Sequence, residues 1–151
     1  MIAVLQRVKE SSVSIDGERI SQIESGFMIL LGVFDTDSET DADFLAAKTS
    51  VLRVFSDEAG KMNRSITDIG GSALVVSQFT LCGDWLKGRR PGFTNAAPPE
   101  KGEKLYLYFC RQLEKEGIPV QTGRFGAMME VALINDGPVT FVLDSKLKGK
   151  N

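Results

Sequence analysis

The 151-residue chain contains no histidine. That absence excludes Ser-His-Asp and Cys-His catalysis and removes the commonest zinc ligand. An enzyme built from this sequence must take its base from a carboxylate, a perturbed lysine, a water or the substrate itself. Cysteine is nearly as scarce. Cys82 and Cys110 lie far apart and form no CxxC pattern, so both are expected as free thiols. An excess of positive charge is missing too, with 18 Lys and Arg against 20 Asp and Glu for a formal charge of −2. No global positive field points to nucleic acid, and any such contact needs a local patch. No run of about 18 apolar residues offers a membrane span, and the apolar start before Arg7 and Lys9 is too short for a signal-peptide core. A cytoplasmic location is expected.

What is present suits an ordinary globular domain, with 42% hydrophobic and 25% charged residues. The length predicts one domain. Residues 145–151 carry Lys146, Lys148 and Lys150 and are expected as a mobile tail. Strands are predicted at Ile2 to Val8, Ser11 to Ile15, Arg19 to Ile23 and Phe27 to Val33, with Asp16-Gly17 as a hairpin turn. Ser38 and Asp41 form a capping box for a helix from about Glu39 to Leu52, with Phe44, Leu45, Ala47, Val51 and Leu52 inward. Arg53 to Phe55 is a short strand. A second helix starts at the prolines before Glu100, runs to Lys115 or Glu116, buries Leu105, Phe109 and Leu113, and stops at Gly117. Pro119 to Thr122 is extended. Ala127 to Ile134 and Val139 to Leu143 are strands, with Asn135-Asp136-Gly137-Pro138 as the turn between them. The class is mixed α/β or α+β, with helices covering one sheet face.

The chain is organised around Ser72 to Leu81. Its first half, with Val75-Val76, reads as a strand buried on both faces. It then delivers Ser77, Gln78 and Thr80. Unpaired buried polar groups cost about 1–3 kcal/mol each, so these need partners. The plain reading is that they bond to nearby backbone and end the strand. The sharper one is a polar rim on a ligand pocket. A long Gly-rich loop follows, with Lys87, Arg89 and Arg90 within four positions. It reads either as a solvated surface or as a contact to a phosphate backbone. Trp85 and Phe93 flank the run, to stack on a base or to anchor the loop. The pattern around Gly137-Pro138 gives no ground by itself for a cis bond.

Ser77-Gln78-Phe79-Thr80-Leu81 and Asn135-Asp136-Gly137-Pro138-Val139-Thr140 closely resemble the two signature motifs of the D-aminoacyl-tRNA deacylases of the common bacterial and eukaryotic type. The resemblance extends to Gln6-Arg7-Val8, Gly60-Lys61-Met62-Asn63, Gly88-Arg89-Arg90-Pro91 and Thr122-Gly123-Arg124-Phe125-Gly126. It spans Met1 to Asp144 and leaves the lysine tail outside. It implies a homodimer with a mixed three-layer β/β/α fold and no metal or cofactor. It implies a cis Gly137-Pro138 unit that reaches into the partner's pocket, with Arg7 bracing it. Ser77, Gln78 and the Phe79-Thr80 backbone would hold the terminal adenosine and the ester carbonyl. Phe125 and Met129 resemble pocket lining, with core packing as the ordinary alternative. Lys87, Arg89 and Arg90 would contact tRNA. The expected partners are aminoacylated tRNA and a second copy of the chain, and neither a membrane nor DNA.

The missing histidine fits what the resemblance implies about mechanism. The neighbouring 2′-hydroxyl of the last nucleotide takes part, and the protein supplies position and backbone donors. Thr80 as nucleophile is the competing reading, and its hydroxyl is weak without an adjacent base. Two alternatives to a deacylase stand at this stage. One is a non-catalytic RNA-binding module using the basic loop, and the other is a small-substrate esterase using Thr80. A deacylase that excludes L-substrates at the α-carbon is also expected to cleave glycyl-tRNA.

Overall fold

A computed structural model describes residues 1–149. β1 (Ile2–Ile15) is one strand where the sequence pattern predicts two. The polar break around Lys9 is absorbed as a bulge: Val8 pairs with Asn135, Glu10 pairs with Ile134, and Lys9 is the extra residue. An extra residue inverts the alternation of sides along a strand. Ala3 and Leu5 therefore meet one apolar cluster, while Val8 and Val13 share the other. β2 (Glu18–Ile23) follows Asp16-Gly17, whose φ angles of 51° and 80° are the left-handed pair a two-residue hairpin favours.

The chain continues through β3 (Gly26–Gly32), α1 (Glu39–Val51), β4 (Phe55–Ser56), β5 (Met62–Arg64), β6 (Ser72–Ser77), α2 (Pro99–Lys115), β7 (Val120–Thr122) and β8 (Glu130–Asp144). The main sheet runs β2-β1-β3-β6-β7, with β8 on the other edge of β1. β3, β6 and β7 are parallel to each other, and β8, β1 and β2 pair antiparallel. One sheet face packs Phe27, Ile29, Leu31, Ala73 and Val75 against Leu45, Leu105, Phe109 and Leu113 of the helices. The other buries Met28, Leu74 and Val76 against Val8, Val13 and Ile23, which the curled sheet brings over it. This is the expected mixed α/β architecture with both helices on one face. No helix among the described residues is long and apolar enough to cross a membrane.

α2 forms where its signals place it. Prolines open it, Glu100 sits in its first turn, Leu105, Phe109 and Leu113 are buried, and Gly117 follows with φ 84°. Tyr106 ties it to the sheet by donating its hydroxyl to the Val75 carbonyl at 2.8 Å. The Ser38 backbone N–H donates to the Asp41 carboxylate at 2.9 Å, closing the expected box at the head of α1. The inward face of α1 follows expectation at Leu45, Phe44 and Leu52, which lie in or against the core, and departs from it elsewhere. Ala42, Leu45, Ala46, Thr49 and Ser50 are buried, while Ala47 and Val51 are exposed.

β8 also departs from expectation. Asn135 to Pro138 does not reverse the chain, because both flanks pair with the same strand. Asn135 is opposite Val8, Thr140 is opposite Gln6, and the residues between form a bulge across from Arg7 alone. The expected tail is fixed at its start. Ser145–Leu147 forms a 3-10 turn, and Ser145 is buried, with its Oγ accepting from the Met1 amino group at 2.7 Å. Lys150 and Asn151 lie outside the described residues.

Candidate active site

The parallel strands β3, β6 and β7 end at one edge, with Leu31 beside Ser77 and Val75 beside Thr122. Ligands of α/β sheets gather at the carboxyl ends of such strands. Here β6 releases Ser77 and Gln78, and the chain winds at once into a 3-10 turn, Phe79–Cys82. The Gln78 N–H still donates to the Leu31 carbonyl at 2.8 Å, so the turn starts from a fixed point. Gly32 makes room for it, since a Cβ there would lie 2.8 Å from the Leu81 Cβ. Ser77 and Gln78 are half-buried, whereas Phe79 and Thr80 are exposed. Phe79 rests edge-on against Phe93 with centroids 5.0 Å apart.

The Thr80 hydroxyl accepts from the Gln78 side-chain amide, which is no base. Cys82 sits at the end of the same turn. Burial, and then the charge of Asp37, push its thiol up to about 11. It is therefore protonated at neutral pH and is a poor nucleophile. No group of three or more His, Cys, Asp or Glu side chains fit to hold a metal occurs among the described residues.

Phe125 and Met129 come to this edge through the segment after β7. The Gly123 N–H donates to the Val75 carbonyl at 3.1 Å. A Cβ on Gly123 would fall 2.6 Å from the Met129 sulfur, so the thioether occupies the space that glycine leaves. Phe125 leans on Tyr106 with centroids 6.0 Å apart. Phe125 thus packs against the main core.

Gly137-Pro138 forms the crest of the β8 bulge, and their peptide bond is cis. A Cβ on Gly137 would lie 2.6 Å from the Val139 side chain and 2.7 Å from its nitrogen, so only glycine fits. Two side chains fix the bulge. Arg7 is buried and donates from Nε to the Asp136 carbonyl at 2.8 Å and from Nη1 to the Val54 carbonyl at 2.6 Å. The Asp136 carboxylate lies 3.6 Å from the same Nε. Asn135 accepts from the Val139 N–H at 2.7 Å and donates to the Thr140 hydroxyl at 3.1 Å. Sequence reasoning named Arg7 but gave no separate role to Asn135 or to Gly32 and Gly123. An asparagine at the foot of a Gly-Pro pair was the one available signal for the first.

The two motifs do not meet within one chain. Arg7, across from the bulge, is level with Phe27 and hence with Ala73, near the start of β6. Ser77 ends that strand. Register places the bulge about 13 Å away along the strand axis and about 14 Å across three strand spacings. The basic loop lies on the Ser77 side. Reciprocal Asp84 and Gly92 backbone hydrogen bonds, both 2.8 Å, pinch it at its base, and Lys87, Arg89 and Arg90 are exposed.

Comparison with known proteins shows what the chain is similar to. The family model described as D-Tyr-tRNA(Tyr) deacylase matches residues 4–144. A protein of Ruegeria pomeroyi named D-aminoacyl-tRNA deacylase is 56% identical over 95% of this chain and 99% of its own length. One of Bacillus cytotoxicus with the same name is 53% identical over 97% of this chain and 100% of its own. Among solved structures, the c-Myc DNA Unwinding Element Binding Protein superposes with a TM-score of 0.89 at 42% identity, covering 95% of this chain and 98% of that one. A chain described as "a probable eukaryotic D-amino acid tRNA deacylase" shares the fold with a TM-score of 0.81 at 17% identity, covering 94% of this chain and 97% of that one.

Proposed function

The chain belongs to the D-Tyr-tRNA(Tyr) deacylase family, and from that premise we propose that it is a cytoplasmic, homodimeric proofreading hydrolase of the ester between a D-amino acid and tRNA. The separation of the two motifs carries the dimeric reading. Ser77 to Thr80 at the strand ends and Gly137-Pro138 in the β8 bulge are too far apart to share a substrate in one chain. A second copy brings its bulge to the first copy's strand ends. β8 favours such pairing, since its outer edge is unpaired in the sheet and Ile134 and Val142 along it are exposed.

In this reading Ser77 and Gln78 hold the terminal adenosine. The N–H groups of Phe79 and Thr80, which open the 3-10 turn and lack partners within it, stabilise the developing oxyanion. The substrate's own 2′-hydroxyl assists, since Thr80 has no base beside it and the Cys82 thiol stays protonated. Lys87, Arg89 and Arg90 meet the tRNA backbone.

Rejecting L-substrates by about 10⁴ takes about 5.5 kcal/mol between transition states. The D and L forms carry the same side chain, and pockets separate even a methylene by only about 1–3 kcal/mol. The filter must therefore be steric and sit at the α-carbon. The bulge is backbone held on both sides by Arg7 and Asn135, which suits exclusion. Glycine, with hydrogen at both positions, escapes such a filter. D-tyrosyl-, glycyl- and L-tyrosyl-tRNA are incubated with the protein and amino-acid release is followed. Release is expected from the first two and not from the third. No release from the D-form overturns the function, and glycine as resistant as the L-form overturns exclusion.

A further inference from the structure

We propose that the groove beside the basic loop is a stacking subsite for a base of single-stranded RNA, the nucleotide that precedes the terminal adenosine of the substrate. The proposal rests on the deacylase reading above and adds a recognition element to it. A cavity of about 390 Å³ lies between Phe34, Leu81 and Asn95 on the body and Trp85 and Leu86 on the loop. It opens where the Phe79–Cys82 turn ends, beside the residues that hold the terminal adenosine in the deacylase reading. Trp85 and Leu86 are 74% and 77% exposed, although both are large and apolar.

Their exposure does not come from a slack loop. The Asp84 and Gly92 bridge closes the base of the loop, and the Asp84 carboxylate accepts from the Leu86 N–H at 3.0 Å. The indole is thus presented from a closed turn. Just beyond it stand Lys87, Arg89 and Arg90, none of which has an ion-pair partner among the described residues. An aromatic platform beside unpaired cations complements a polyanion whose units carry flat π faces, which is the chemistry of single-stranded nucleic acid. The exposed Asn95 amide can donate to or accept from a base edge.

Trp85 is the only tryptophan, so its fluorescence reports the groove alone. The wild type, Trp85→Ala and Trp85→Phe are assayed on D-tyrosyl-tRNA and on the lone nucleoside ester, D-tyrosyl-adenosine. Trp85→Ala is expected to lower kcat/KM on the tRNA by about five- to a hundredfold, with Trp85→Phe restoring most of it. The nucleoside ester is expected to be cleaved equally by all three. An RNA trinucleotide CCA is expected to quench the wild-type indole, and less so as salt rises. Equal losses on both substrates, or a loss on neither, overturns the subsite. Absent quenching also overturns it, and this holds even if the wild type cleaves neither ester, the separate result that defeats the deacylase reading.

Discussion

Thr80 is the residue on which competing mechanisms divide. It stands at the strand-end site, exposed, with only an amide beside its hydroxyl. An alcohol without a base is a weak nucleophile. Thr80→Ala is therefore expected to keep deacylation of D-tyrosyl-tRNA within about tenfold of wild type, while a substrate with a terminal 2′-deoxy nucleotide slows by about a hundredfold or more. Single-turnover release of tyrosine measures both. A dead Thr80→Ala enzyme with normal turnover of the deoxy substrate would install Thr80 as nucleophile. Histidine's absence made this much legible before any coordinates. The bracing of Arg7 onto the Val54 and Asp136 carbonyls was not legible, because the sequence alone does not show which carbonyls a fold leaves within reach.

At the scale of elements, the sequence disclosed what local chemistry decides and hid what long-range pairing decides. α2 was readable because proline, glutamate, an apolar period and a glycine stop all agree. The Asn135 to Pro138 stretch was misread as a reversal, since hairpins and bulges draw on the same residues. Only pairing of both flanks with β1 tells them apart. The inward face of α1 was legible only in part: Leu45 is buried and Phe44 and Leu52 pack against the core, but Ala47 and Val51 face outward and alanine, threonine and serine complete the buried face. This correction is testable. Ala46→Leu is expected to cost about 1–3 kcal/mol by overpacking the contact with α2. Val51→Ala, at an exposed position, is expected to stay within about 0.5 kcal/mol. Urea unfolding of both variants measures the difference, and the reverse ranking would return the helix to its first assignment.

For the whole molecule, the distance between the motifs makes complementation the decisive measurement. A Gln78→Ala chain retains a sound bulge, and a Pro138→Ala chain retains sound strand ends. In the cross-subunit reading, each homodimer has two defective sites. After unfolding and refolding as a mixture, heterodimers form in which one site joins both sound halves. D-selective deacylation is expected to return in the mixture to about a quarter of wild type, the share of sites restored by random pairing. If the mixture is no better than its parents, each chain carries its own complete site and the cross-subunit reading fails.

If the cross-subunit reading holds, the same separation has a genetic consequence. A gene copy carrying either lesion alone harms one site in each mixed dimer, so a cell with equal doses of normal and altered chains keeps about half its capacity. A copy carrying both lesions behaves otherwise. Its strand ends spoil one site of a mixed dimer and its bulge spoils the other. Only the dimers made wholly of normal chains survive, about a quarter of the population. Two recessive alleles joined on one chain thus become a dominant-negative one, although nothing in either lesion is dominant by itself.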